Sequence, residues 1–426
     1  MAKILLKNVQ ALLSDGTVKS TNIAIEANKI KKIGEIDTQW QAERTIDCTD
    51  KFAVPGFINT HTHASMTLLR SYADDMKLMD WLQDKIWPIE AKMSSNDIYW
   101  GAMLAIAEMI KTGTTTFVDM YSEMHRVAEA VEESGMRAVL SRGMIGIAPN
   151  GQAALAESKQ LFKDYHQAAD GRITVMLAPH APYTCPPEYL HQVVDAAKEL
   201  GSEVHIHLSE TIGEVEDCIK QYGKSPIALM EEVGILDCGV LAAHCVHVSA
   251  EDIALMKKYD VRVAHNPGSN MKLASGIAPI PEMLSAGISV GLGTDGASSN
   301  NNLDMLEEIH LATLLHKVHT LNPLSVPALT GIRMATEYGA KVAGLDQVGI
   351  LKEGYEADIT LFDLKNPQWY PRHNLVSLLA YSANSSHVDT VLIDGKIVLE
   401  KGILTTIDEE KILYEANRRA MSLINK

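Results

Sequence analysis

Five cysteines in 426 residues, an odd number with no pair spaced C-x-x-C, offer no disulfide framework for this fold. Cys48, Cys185, Cys218, Cys238 and Cys245 therefore read as free thiols of a reducing compartment, and the expected location is cytoplasmic. No uninterrupted apolar segment near Met1 suits a signal peptide, and no window approaches the length of a membrane span. Positive charge is also short: 38 Lys and Arg stand against 54 Asp and Glu, a formal charge of −16. That balance argues against nucleic acid or an anionic membrane as partner, but not against a small ligand carrying one purine. Gly/Ser-rich, Pro-rich and repetitive stretches are missing, so no disordered linker is expected. The patterns H-E-x-x-H, G-x-S-x-G and P-C-x-x-C are absent too, which removes zincin, serine-hydrolase and cytidine-deaminase-type readings.

What is present is an ordinary globular composition, 46% hydrophobic and 22% charged, long enough for one large domain and a smaller one. Residues 4–13, 22–26 and 29–33 alternate with β-type period around a turn at Asp15-Gly16. From Val54 the rhythm changes. Apolar runs at 54–63, 114–121, 137–144, 173–179, 203–208, 239–244, 261–265 and 288–294 alternate with segments of helical spacing, such as 98–111, 125–134 and 187–200. Eight such repeats predict an α/β fold built on a (β/α)8 TIM barrel. Beyond about residue 345 the β pattern returns at 349–351, 357–363, 388–393 and 396–400, with Asp394-Gly395 as a hairpin turn. Residues 408–424 read as a helix. The expected division is thus 1–53 as the first part of a small β-sandwich, 54–345 as the barrel, and 346–426 as the second part of the sandwich with a C-terminal helix.

Barrel enzymes carry their chemistry at the C-terminal ends of the strands. Here those ends supply His61 and His63, then His180, His205 and His207, then His244 and His247, then His265, and finally Asp295. Eight of the sixteen histidines fall at such positions. His61 and His63 are two residues apart, so a strand projects both imidazoles from one face. Converging imidazoles with a carboxylate form a transition-metal site, zinc being the commonest occupant, whereas unpartnered buried imidazoles would be costly. His205 and His207 both face inward on a regular strand, and spacing does not choose between them. Glu210, three residues past His207, is placed to reach water at such a metal. Asp295 suits a ligand, a base or both. The run Gly291-Leu292-Gly293-Thr294-Asp295-Gly296 matches a dinucleotide fingerprint, but it lies in the last repeat and would set a carboxylate against a pyrophosphate.

The runs PGFINTHTH, HIHLSE, AHCVH and GTDGASSNN resemble the strand-one, -five, -six and -eight motifs of the amidohydrolase superfamily, over nearly the whole chain. The resemblance implies one divalent metal per subunit, zinc, held by His61, His63, His207 and Asp295. No lysine ends strand four, which implies a mononuclear site. The segments Trp87-Pro88-Ile89-Glu90, APHAPY around His180 and HNPGSNMKL after His265 are similar to the branch of deaminases acting on 5′-methylthioadenosine and S-adenosylhomocysteine. That likeness implies hydrolytic deamination of an adenine ring in a purine nucleoside. Catalytic roles fall to Glu210, His244 and Asp295; ligand contacts fall to Glu90 (on the ribose hydroxyls), Arg142, His180, Glu210 and Asp295. It also implies a homo-oligomer. No basic residue occurs between Arg142 and Lys159, so a second cation for an amino-acid tail is missing. Rival readings are a deaminase of adenosine, 5′-deoxyadenosine or guanine, an s-triazine or chloro-aromatic hydrolase (a dechlorinase), or a non-catalytic interaction protein.

Overall fold

The computed structural model describes residues 3–425. Its strands fall into two systems. The first is a nine-stranded sheet drawn from both ends of the chain, and its central junction is Ile359–Asp363 running antiparallel to Lys51–Pro55. Lys3–Leu12, Val18–Glu26 and Lys29–Ile33 extend it on one side, and Val388–Ile393, Lys396–Glu400 and Ile403–Leu404 on the other. Alternating apolar positions give this sheet a core of its own, with Leu6, Val9, Ile23 and Ile25 packed together with Ile359, Leu361 and Leu392.

The second system is parallel throughout. Phe57–Thr62, Thr114–Tyr121 and Arg137–Met144 lie side by side, and Ile173–Val175 and Ala178–Pro179 both pair with the third. Val204–Leu208, Val240–His244, Arg262–His265 and Val290–Leu292 follow in chain order. A bridge between Leu177 and Val204 joins the two groups. At the far side the Asp295 amide donates to the His61 carbonyl (2.9 Å) and the Thr60 hydroxyl to the Leu292 carbonyl (2.8 Å). The last strand is thereby tied to the first. Nearly every strand residue is buried, which is why these segments read as unbroken apolar runs.

Several boundaries differ from the sequence expectation. The run 54–63 is two strands, because Lys51–Pro55 belongs to the terminal sheet and Phe57–Thr62 to the parallel one. Gly56 is the crossing point, where an added Cβ would sit 2.2 Å from the Thr115 side chain. Residues 349–351 form no strand: Gly349 has φ +76°, outside the extended region. Arg44–Asp47 is a strand that its polar composition hid.

The terminal helix Glu409–Ile424 begins at Asp408, whose side chain accepts from the Lys411 amide. Its Arg419 pairs with Asp97 (3.0 Å) on the helix Ser95–Lys111. Ala416 and Leu423 pack in one cluster with Met66, Leu68 and Leu69, the segment that immediately follows His63. The C-terminus thus buttresses the chain beside the strongest motif.

Candidate metal centre and active-site cavity

The parallel strands deliver their terminal side chains into a cavity of about 420 Å³. Three of these ends turn through non-glycine residues in the left-handed region: Ser209 (φ 52°), His244 (φ 72°) and Asp295 (φ 60°). Such a backbone costs roughly 1–3 kcal/mol per residue and persists only where neighbours over-determine it.

Tracing the protons shows what this cluster demands. The Ser141 hydroxyl donates to the Asp119 carbonyl (2.7 Å), so its oxygen accepts from His205 Nδ1 (3.2 Å). His205 Nε2 must then accept from His61 Nδ1 (2.9 Å), which leaves a lone pair on His61 Nε2. That nitrogen is buried without a hydrogen-bond partner and lies 3.4 Å from Asp295 Oδ1. His63 Nδ1 donates to the Met120 carbonyl (2.6 Å) and His207 Nδ1 to the His180 carbonyl (2.7 Å). Their Nε2 atoms consequently face each other, lone pair to lone pair, 3.4 Å apart. His63 Nε2 is also 3.2 Å from Asp295 Oδ1. Three lone pairs and a carboxylate oxygen converging in a buried site repel unless a cation lies among them, so these residues fit a divalent metal.

The electrostatics agree. Burial pulls His63 down, but Asp295 reverses the effect and holds it at about 9, so the site attracts positive charge even as a proton. Burial lowers His61 to about 4 and pushes His205 and His207 well below the usual imidazole range. Burial opposes the Asp295 carboxylate, yet the neighbouring His61 and His63 outweigh it and keep it far below the ordinary value. Asp295 Oδ2 is capped by the hydroxyls of Ser269 (2.7 Å) and Ser299 (2.8 Å), which leaves Oδ1 to the imidazoles.

His244 lies beside this cluster, its Nδ1 2.9 Å from Asn270 Oδ1 and its Nε2 3.8 Å from Glu210 Oε2. Donor atoms of His61, His207 and His244 also lie within 4.8 Å of one another, so His244 borders the same point. Burial raises Glu210, which favours the proton-carrying form. His180 lines the cavity and is lowered to about 3 by burial, with His63 next; its Nδ1 faces the Thr184 hydroxyl (2.9 Å).

Farther out, Glu90 accepts from the Tyr121 hydroxyl (2.5 Å) and is raised by burial. Arg142, paired with Tyr121 across the parallel ladder, also lines the cavity. His63, Glu90, Arg142, His180, His207, Glu210, His244 and Asp295 all line this one cavity, and His61 stands against Asp295 at its edge. His205, left open with His207 by spacing alone, stands behind His61. His247 points elsewhere, to the Ser275 carbonyl (2.6 Å).

The sequence reading missed the supports. Glu214 accepts the amides of Ser209 and Glu210 (both 2.8 Å), clamping the turn that carries Glu210. Asp119 takes the Ala64 amide (2.7 Å) behind His63. Tyr121, Ser269 and Ser299 act one contact back from Glu90 and Asp295. Only Glu214 had a local signal, as a second carboxylate four residues after Glu210.

Residues 52–398 match the model of the amidohydrolase family, and the chain belongs to that family. Among its relatives, proteins from Pelotomaculum thermopropionicum and Dictyoglomus thermophilum are each 52% identical over the full length of both chains. Both bear the name 5-methylthioadenosine/S-adenosylhomocysteine deaminase. An adenosine deaminase from Xanthomonas campestris, solved with bound zinc, is 31% identical, with a TM-score of 0.94 over 100% of this chain and 99% of that one. An atrazine chlorohydrolase from Arthrobacter aurescens, 24% identical over 98% of this chain and 100% of that one (TM-score 0.92), shares the fold.

Proposed function

We propose that this chain is a zinc-dependent hydrolase that deaminates the adenine ring of 5′-methylthioadenosine and S-adenosylhomocysteine, leaving the inosine derivatives and ammonia. One observation carries the reading: three imidazole lone pairs and the Asp295 carboxylate converge beside a buried Glu210. The full-length likeness to proteins named for that reaction supports it. His61, His63, His207 and Asp295 are the proposed ligands of one metal per subunit, zinc by its donor set. Bound there, the metal supplies Lewis acidity that makes water nucleophilic near neutral pH.

Asp295 takes up the proton of the attacking water, which His244 orients. Attack at C6 moves electron density onto N1, where Glu210 donates its proton. Ammonia leaves from C6 with the proton Asp295 collected, and the second proton of the water, shed as the C6 hydroxyl becomes the carbonyl, restores Glu210, so each turnover consumes one water and releases one ammonia. The opposite shifts of Glu210 and Asp295 support this division of labour, since an acid and a base in one site need environments that separate them. Glu90, oriented by Tyr121, holds the ribose hydroxyls; His180 and Arg142 contact the ligand away from C6.

Our reading of the fold is a (β/α)8 barrel closed by the ties from Leu292 and Asp295 to the first strand, with a β-sandwich domain built from both termini. The separate apolar core of the nine-stranded sheet supports that second domain, and the crossing at Gly56 supports a boundary slightly beyond residue 53. Five free thiols suit a cytoplasmic protein. No described helix is long and apolar enough to cross a membrane. Exposed Leu314, Val318, Leu321 and Leu324 suit contact between subunits of a homo-oligomer.

Adenosine as the substrate is a second reading, favoured by the Xanthomonas campestris neighbour. Loss of adenine ultraviolet absorbance with purified, zinc-loaded protein tests both, with methylthioadenosine, S-adenosylhomocysteine, adenosine and guanine side by side. Fast conversion of the thio-nucleosides with little action on guanine is expected. Silence on every adenine nucleoside by zinc-loaded protein overturns the proposal.

A further inference from the structure

The parallel ladder sets Tyr121 beside Arg142 in register, so Arg142 and Glu90, which Tyr121 holds, are neighbours on the cavity wall. His63 follows the first strand, Tyr121 and its partner Glu90 come with the second, and Arg142 with the third. A nucleoside whose ring lies at Glu210 and whose ribose lies at Glu90 therefore presents its 5′ substituent toward Arg142. Arg142 is the only lysine or arginine among the residues that line the cavity. It is not free. Its Nε donates to Glu157 Oε2 (2.8 Å), and its Nη1 donates to the Gly143 carbonyl. Glu157 stands on the helix Gly151–Tyr165, three residues after Ala154, which itself lines the cavity, so the two share one helix face. The lining on this side is otherwise uncharged and mostly apolar, with Ile145, Ala148, Ala154 and Trp87, and with Ser122 and Asn150 as its polar members. The acids of the cavity are Glu90, Glu210 and Asp295, and among the described residues no second lysine or arginine lines it.

We propose that Glu157 sets the tail specificity of this pocket: by occupying the guanidinium of Arg142, it makes an uncharged 5′ substituent preferred over a zwitterionic amino-acid tail. An incoming carboxylate must share Arg142 with Glu157 and approach that like charge, whereas a methylthio group needs no cation and can rest on the apolar part of the wall. The inference rests on the deaminase reading above and narrows it to methylthioadenosine over S-adenosylhomocysteine. Arg142 is mostly buried, but the Glu157 side chain is 56% exposed, so solvent screens the effect and its size is modest.

The test is the ratio of kcat/KM for methylthioadenosine to that for S-adenosylhomocysteine, in the wild type and in Glu157→Gln. The wild type is expected to favour methylthioadenosine. Glu157→Gln is expected to narrow the ratio by about threefold to fivefold, through a lower KM for S-adenosylhomocysteine and not through kcat. A merely structural role for Glu157 would move both substrates together. Equal kcat/KM for the two substrates in the wild type overturns the inference without any variant, as does an unchanged ratio in Glu157→Gln. Silence on both nucleosides is a different result: it overturns the deaminase reading and takes this inference with it.

Discussion

The two ends of the cavity are built on different principles. At the inner end every proton is assigned by the backbone or by a buried side chain. His63 and His207 are each locked by a carbonyl, His61 by the relay through His205 and Ser141, and Asp295 by two serines. At the outer end Glu90 is held by one phenol, and Arg142 by a half-exposed glutamate on a neighbouring helix. Chemistry that depends on lone-pair direction tolerates little movement, so its supports are redundant and buried. Recognition of a tail can be retuned by one surface residue. The inner end should therefore fail abruptly when touched, and the outer end should shift by degrees.

Metal removal is the largest break. Chelation is expected to abolish turnover and lower Tm by several degrees, because a metal bound by the folded state alone stabilises it and chelation withdraws that contribution. Calorimetry of the chelated and zinc-refilled protein reads this directly. Next is Glu210→Gln, which removes the proton donor and should lower kcat by about a hundredfold or more while metal content stays normal. A variant with near-normal turnover would remove Glu210 from the mechanism.

The pH profile carries the same assignment. Glu210 is raised above 4.5 by burial and is needed in its protonated form. Activity that depends on it is present below the shifted value and lost as pH rises through it. The kcat/KM profile should accordingly show a basic limb, and a profile flat through the alkaline range would contradict the role.

His205→Asn tests the relay behind His61. It leaves every ligand in place, so the expected effect is a loss in metal affinity of about 10- to 100-fold, read by competition with a chelator. Tyr121→Phe is gentler. It frees Glu90 without removing it, and KM should rise by about tenfold for a ribonucleoside with little change in kcat. The 2′,3′-dideoxy analogue has nothing for Glu90 to hold, so its KM should hardly move.

The residues proposed for the metal were legible because strand periodicity is local. The i, i+2 spacing of His61 and His63 says that both face one way, and the ends of the other runs repeat the message. The supports were not legible for a matching reason. Glu157 follows Arg142 by fifteen residues and touches it only because a helix folds back over its strand. Tyr121 and Glu90 meet across a longer interval still. The split at Gly56 was hidden because Val54, Pro55 and Phe57 are all apolar, and composition does not say which sheet a buried residue joins.

By itself the sequence determined the alternation of strands and helices and the histidines that end the strands. Those features depend on neighbours two to four residues away, and short-range geometry dictates them. Only the tertiary structure decided that His207 faces the centre while His205 stands behind His61. The same holds for the lone pair left on each imidazole and for the glutamate already on Arg142. Tautomer, charge and accessibility are set by what lies across the fold, and no residue carries that information alone.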